Sequence, residues 1–88
     1  MTDLSGEVCF ITGAGRGIGK DTAKYLSHCG AAMAVTDKDG GAAQAVAEEI
    51  RALGGHAIGL TCDVSSTESV NKAVADCAAE FGALTLCN

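Results

Sequence analysis

Aromatic residues are scarce in this chain: one Tyr, two Phe and no Trp, 3% of 88 positions. The core must therefore be built from Val, Ile, Leu, Ala and Cys, which favours β-branched strands beneath Ala-rich helices over an aromatic-rich β-sandwich. Positive charge is scarce too. Six Lys and Arg stand against eleven Asp and Glu, for a net charge of −5, and no basic run occurs. Such a chain is ill-suited to a phosphate backbone or an anionic membrane surface, so neither nucleic acid nor membrane is an expected partner. The longest apolar runs are only strand-length, too short for a membrane-spanning helix. The opening Met1-Thr2-Asp3-Leu4-Ser5-Gly6-Glu7 has neither a basic stretch nor an apolar one. It does not read as a signal peptide, and the cytosol is the expected compartment. The cysteines, Cys9, Cys29, Cys62, Cys77 and Cys87, are odd in number and form no C-x-x-C pair. No disulfide framework or zinc site is signalled, and the thiols are expected to be small buried hydrophobes in a reducing compartment.

What is present is a regular alternation. With 48% hydrophobic and 19% charged residues, the composition is globular, and the length suits one domain rather than two. Val8-Cys9-Phe10-Ile11 is a wholly apolar run, as a strand buried on both faces reads. A helical stretch from Ile18 to Cys29 follows, with Ile18, Thr22, Tyr25, Leu26 and Cys29 on one expected inner stripe and Gly30 as its stop. Ala31 to Thr36 is the second strand. Gly40-Gly41 opens a helix through Leu53, with Val46, Ile50 and Leu53 inward. Ala57 to Leu60 is the third strand, and Ser65 with Glu68 offers a capping box for a third helix. That helix turns Val70, Val74, Cys77 and Ala78 inward and ends at Phe81-Gly82. Leu84 to Cys87 begins a fourth strand. The order βαβαβαβ, with a helix in every connection, predicts an α/β fold: a doubly wound, Rossmann-type parallel sheet in strand order 3-2-1-4. No repeat, linker or internal boundary is visible, so residues 1–88 read as a single domain.

Between the first strand and first helix lies Thr12-Gly13-Ala14-Gly15-Arg16-Gly17-Ile18-Gly19. Glycines there let the backbone turn tightly and approach a ligand, while the helix start offers free N–H groups to an anion. A P-loop is excluded, because Ala14 stands where its first Gly belongs and Asp21 where its Ser or Thr does. The G-x-G-x-x-G fingerprint begun at Gly13 fails at Ile18. The pattern that fits is Thr-Gly-x-x-x-Gly-x-Gly through Thr12, Gly13, Gly17 and Gly19. Asp37 follows Gly19 at the end of the second strand, where a carboxylate accepts hydrogen bonds from ribose hydroxyls and repels a 2′-phosphate.

This arrangement resembles the cofactor-binding part of the short-chain dehydrogenase/reductase family, over essentially all 88 residues. The resemblance implies hydride transfer between a nicotinamide dinucleotide and a carbonyl or alcohol. It implies cofactor contacts at Gly13, Gly15, Arg16, Gly17, Ile18, Gly19, Asp37 and Lys38. It also places Asp63 and the backbone of Val64 at the adenine, although Asp63 read by itself is a helix-capping residue. Asn88 corresponds to the first residue of the family's Asn-Asn-Ala-Gly motif, one residue early after Phe81. Asp37 favours NAD, whereas Arg16 and Lys38 are the kind of bases that welcome NADP. The balance of one carboxylate against two mobile cations points to NAD.

The family's acid/base is a Tyr followed four residues later by a Lys, with an upstream Ser. The one tyrosine here is Tyr25, the residue four later is Cys29, and Tyr25 is expected in the core, so no catalytic residue is assigned. His28 and His56 suggest no triad or metal site. The chain is expected to be the N-terminal part of a dehydrogenase, able by itself at most to bind cofactor and inclined to self-associate. The substrate and the homo-oligomer implied by the family would belong to the longer protein. The alternative is a stand-alone, non-catalytic dinucleotide-binding module.

Overall fold

The computed structural model describes residues 3–82 and the short strand at 86–87. Strands β1 (Val8–Ile11), β2 (Ala32–Asp37), β3 (Ala57–Thr61) and β4 (Leu86–Cys87) alternate with helices α1 (Gly17–His28), α2 (Gly40–Ala52) and α3 (Thr67–Phe81). The sheet is parallel and ordered β3-β2-β1-β4, the order expected from the sequence. Residues 84 and 85 of the expected fourth strand, and Asn88, lie outside the described residues.

The two-residue period of the strands divides the core. Cys9 and Ile11 of β1 and Met33 and Val35 of β2 pack with Ala23 of α1 and Ala43, Val46, Ala47 and Ile50 of α2. Val8, Phe10 and Ala34 point the other way, to Ala73 and Cys77 of α3, with Val70, Val74 and Phe81 partly buried around them. Small side chains on the helices allow close docking. At Gly59 a Cβ would lie 2.7 Å from Gln44 Cα and 2.8 Å from the Ala43 carbonyl oxygen, so α2 rests directly on the backbone of β3.

The outer edge of β3 is covered from the same helix. Gln44 Nε2 donates to the Gly59 carbonyl at 2.9 Å, and Arg51 Nη1 donates to the Ala57 carbonyl at 2.6 Å. Both carbonyls point away from β2, because the ladder uses His56 and its alternate neighbours.

Several sequence expectations need correction. In α1 the buried residue is Ala23, whereas Ile18 is 86% exposed and Tyr25 60% exposed. The helix meets the sheet through Ala23 with Leu26 packed beside it, and Thr22 and Cys29 are half-buried, so the expected stripe is turned out only at Ile18 and Tyr25. Leu53 is likewise exposed, because it is the C-cap of α2 and Ile50 already fills the last inward position. Strand β2 begins at Ala32 rather than Ala31, since the Ala31 N–H closes the end of α1 on the Leu26 carbonyl. It extends to Asp37, whose carbonyl accepts from the Cys62 N–H. The N-cap of α3 is Ser66, whose Oγ accepts from the Ser69 N–H at 3.2 Å; Ser65 instead closes a turn on Asp63. Ala73 is a buried α3 residue the sequence reading omitted, while Ala78 is only half-buried. Cys9, Cys62 and Cys77 are buried as expected, but Cys29, at the C-cap of α1, is only half-buried. Burial pushes the Cys9 and Cys62 thiols up, which keeps them protonated and unreactive at neutral pH.

Candidate functional site

Parallel strands all finish at one edge, so β1, β2 and β3 deliver residues 12–19, 37–39 and 62–65 to the same rim. The glycine loop is sewn to β2 before it turns. The Ala14 N–H donates to the Thr36 carbonyl at 2.8 Å, and the buried Thr36 hydroxyl donates to the Ile11 carbonyl at 2.8 Å. Gly17 opens α1 with φ +61°, a left-handed conformation costly for any residue with a Cβ. Gly19 meets the loop's own start: a Cβ there would come 2.5 Å from the Gly13 carbonyl oxygen. The N-cap, Arg16, gives no side-chain hydrogen bond to the helix. The first-turn N–H groups of α1 therefore keep their donor capacity at the positive end of the helix dipole.

Asp37 sits against this loop. Its Oδ2 accepts from the Gly15 N–H and its Oδ1 from the Asp39 N–H, both at 2.9 Å. The Asp39 N–H is the main influence holding the carboxyl below its ordinary value; burial opposes it, and the Gly15 N–H and the Arg16 charge assist. Asp37 is thus an ionised, nearly buried acceptor at the rim. The closeness has a steric side: a Cβ on Gly15 would lie 2.8 Å from Asp37 Oδ2.

Arg16 reaches across to α2, where its Nη2 lies 3.3 Å from Asp39 Oδ2. Asp39 also caps α2, its Oδ1 accepting from the Ala42 N–H at 3.1 Å. The sequence reading passed over Asp39, although an Asp directly before a Gly-Gly helix start is an N-cap signal. At the end of β3, Asp63 Oδ1 accepts from both the N–H and the hydroxyl of Ser65, at 3.0 and 2.7 Å. These bonds, with a smaller contribution from the Lys38 charge, lower the Asp63 carboxyl. Two large apolar side chains stand in solvent on this rim, Ile18 and Val64, the latter 68% exposed. The structure therefore brings Gly13, Gly15, Arg16, Gly17, Ile18, Gly19, Asp37, Lys38, Asp63 and Val64 to one edge of the sheet. Asn88 lies outside the described residues.

Tyr25 does not join them. It lies on α1 about 12 Å along the axis from Gly17, at 1.5 Å per residue. Its exposed phenol is raised by the Cys29 thiol beside it, opposite to the shift an acid/base tyrosine needs. Two surface hollows of about 260 and 300 Å³ open at the opposite edge of the sheet, around His28 and Leu53 and around His56 and Phe81. Among the described residues no three His, Cys, Asp or Glu side chains group as metal ligands, and no helix is long and apolar enough to cross a membrane.

Comparison with known proteins agrees with this geometry. The sequence model of the short-chain dehydrogenases matches residues 7–87. A 2,5-dichloro-2,5-cyclohexadiene-1,4-diol dehydrogenase of Sphingobium indicum is 42% identical over 84 residues, covering 96% of this chain and 32% of that protein. The 7α-hydroxysteroid dehydrogenase of Escherichia coli is 43% identical over 73 residues, 83% of this chain and 28% of that one. A solved 7α-hydroxysteroid dehydrogenase, complexed with NADH and 7-oxo glycochenodeoxycholic acid, superposes with a TM-score of 0.94 at 34% identity, over 97% of this chain and 33% of that one. The chain spans about a third of the length of these relatives. With its fold, glycine loop and sequence in agreement, the chain belongs to the short-chain dehydrogenase family.

Proposed function

We propose that these residues form the cofactor-binding part of an NAD-dependent oxidoreductase acting on an alcohol or carbonyl. The observation that carries this is the pairing of an uncapped α1 N-terminus with the Asp37 carboxylate 2.9 Å from the same loop. The site fits a dinucleotide. Cβ atoms built at Gly13 and Gly17 meet nothing within 4 Å, so the loop presents open backbone where a bulky anion could lie. In this reading the backbone of Gly13 to Gly19 holds the pyrophosphate, and Asp37 takes the ribose hydroxyls of the adenosine half. Ile18 and Val64 offer apolar contact to the rings, which accounts for their exposure without a ligand. Asp63 holds Ser65 through Oδ1, so any contact to the adenine amino group falls to Oδ2. Asn88 is carried as a cofactor contact by resemblance alone.

A bound nicotinamide supplies the hydride acceptor or donor. The residues of this chain bind and orient it, and none of them is assigned a proton-transfer role. Asp37 favours NAD over NADP, because its ionised, desolvated carboxylate repels a 2′-phosphate. Arg16 and Lys38 are the opposing cations: the Arg16 charge reaches Asp37, but both side chains are exposed and screened by solvent. Cys9, Cys29, Cys62 and Cys77 form no disulfide, which suits a reducing compartment such as the cytosol.

Titration with NAD, followed by thermal unfolding, tests the binding claim. NAD is expected to raise the unfolding midpoint, and Asp37→Ala or Gly17→Val to abolish the rise. A folded protein that ignores millimolar NAD would count decisively against the reading.

A further inference from the structure

Asp39 joins three parts of the rim and has no role in the reading above. Its backbone N–H holds Asp37 Oδ1, its Oδ1 caps α2 through Ala42, and its Oδ2 pairs with Arg16 Nη2 at 3.3 Å. The cap fixes the carboxylate in place, because the N-cap geometry at φ −87° and ψ 97° leaves Oδ1 committed to the helix. Arg16 is the mobile partner: it stands between Gly15 and Gly17, and its side chain is 73% exposed. An arginine beside the ribose-binding acid is the group that receives a 2′-phosphate in dinucleotide folds. Here that arginine is turned toward α2 and paired with Asp39. Lys38, the other cation of the rim, bears on Asp63.

We propose that Asp39 is a positioning residue for cofactor choice, holding Arg16 in an ion pair so that it is not presented to a 2′-phosphate. The proposal rests on the dinucleotide reading of the site. It adds a second control on NAD preference beyond Asp37, acting through Arg16 rather than by contact. Two neutral variants, Asp39→Ser and Asp39→Asn, keep an N-cap acceptor for Ala42 while removing the charge.

Dissociation constants for NAD and NADP, measured by calorimetry on wild type, Asp39→Ser, Asp39→Asn, Arg16→Ala and the Arg16→Ala/Asp39→Ser double variant, test it. The NADP-to-NAD ratio is expected to fall by about 1.5- to five-fold in both Asp39 variants, the span of an exposed ion pair. In the Arg16→Ala background the same Asp39 change should leave the ratio within the error of the cycle. An unchanged ratio in both single variants, in a protein that binds NAD, overturns the role of Asp39 alone. An equal fall with Arg16 absent also overturns it, since Asp39 would then act by direct repulsion. Failure of wild type to bind either dinucleotide overturns the underlying reading and this proposal with it.

Discussion

Asp37 shows how one side chain is made ready by its backbone surroundings. Two N–H groups, from Asp39 and Gly15, stabilise its charged form and hold the folded carboxyl below its unfolded value. A depressed folded value contributes stability in full above the unfolded value, about pH 4, and that contribution is lost as pH falls through the folded one. Asp37→Asn should therefore be less stable than wild type at pH 7, with the gap narrowing as pH falls below about 4. Thermal midpoints of the two proteins across that range check this. At Gly19 the expected effect is steric. Gly19→Ala sets a Cβ 2.5 Å from the Gly13 carbonyl oxygen, and must either displace the loop or pull α1 off it. NAD titration of this variant should show affinity lowered by at least about ten-fold, since a displacement near 1 Å in a positioning group costs far more than its contact energy.

The identity of the loop was legible from spacing, because glycine is the residue whose absence of a side chain cannot be replaced. Asp39 was not, because its function depends on Arg16, 23 positions away, reaching it across a gap that only the fold closes.

Among the elements, strand and helix boundaries agree with the sequence pattern to within a residue or two wherever they are described. Apolar runs and glycine stops are local signals, and the backbone obeys them locally. The facing of α1 was legible only in part. The stripe Ile18, Thr22, Tyr25, Leu26 and Cys29 follows side-chain size and holds at Leu26. It is turned out at Ile18 and Tyr25 because the helix is docked through Gly19 and Ala23, which weigh little in any hydrophobicity count. The α3 cap was misread by one residue because Ser65 and Ser66 are adjacent and only geometry decides which of them turns back to the helix. Ser66→Ala is expected to cost about 1 kcal/mol, the usual worth of an N-cap, whereas the loss of Ser65 should act chiefly through Asp63. Urea unfolding of the two alanine variants separates these effects. Gly59→Ala should cost more, about 1–3 kcal/mol, because the new Cβ meets backbone of α2 rather than a movable side chain.

For the molecule as a whole, the two faces of the sheet are unequally covered by the described elements. Helices α1 and α2 close one face over twelve buried residues, whereas α3 alone covers the other, where Ile58, Leu60, Val70, Val74 and Phe81 are only partly buried. An 88-residue polypeptide of this sequence, studied by itself, is expected to self-associate through that face. Sedimentation velocity over a concentration series should show a rising weight-average mass; a concentration-independent monomer would contradict it. The sequence made the doubly wound order legible, because each crossover is helix-length and right-handed connections leave few topologies. The same crossovers imply that α3 stands alone on its face, whereas the area it leaves partly uncovered depends on side-chain placement rather than on pattern.

The side chains that α2 lays along β3 give the sheet a polarity of growth. With the Ala57 and Gly59 carbonyls already taken by Arg51 and Gln44, that flank offers an incoming strand no open row of acceptors. A strand added at that flank would first have to displace Arg51 and Gln44, whereas the sheet's other flank is β4. That seal is set by the second crossover, since α2 and β3 alone supply its donors and acceptors.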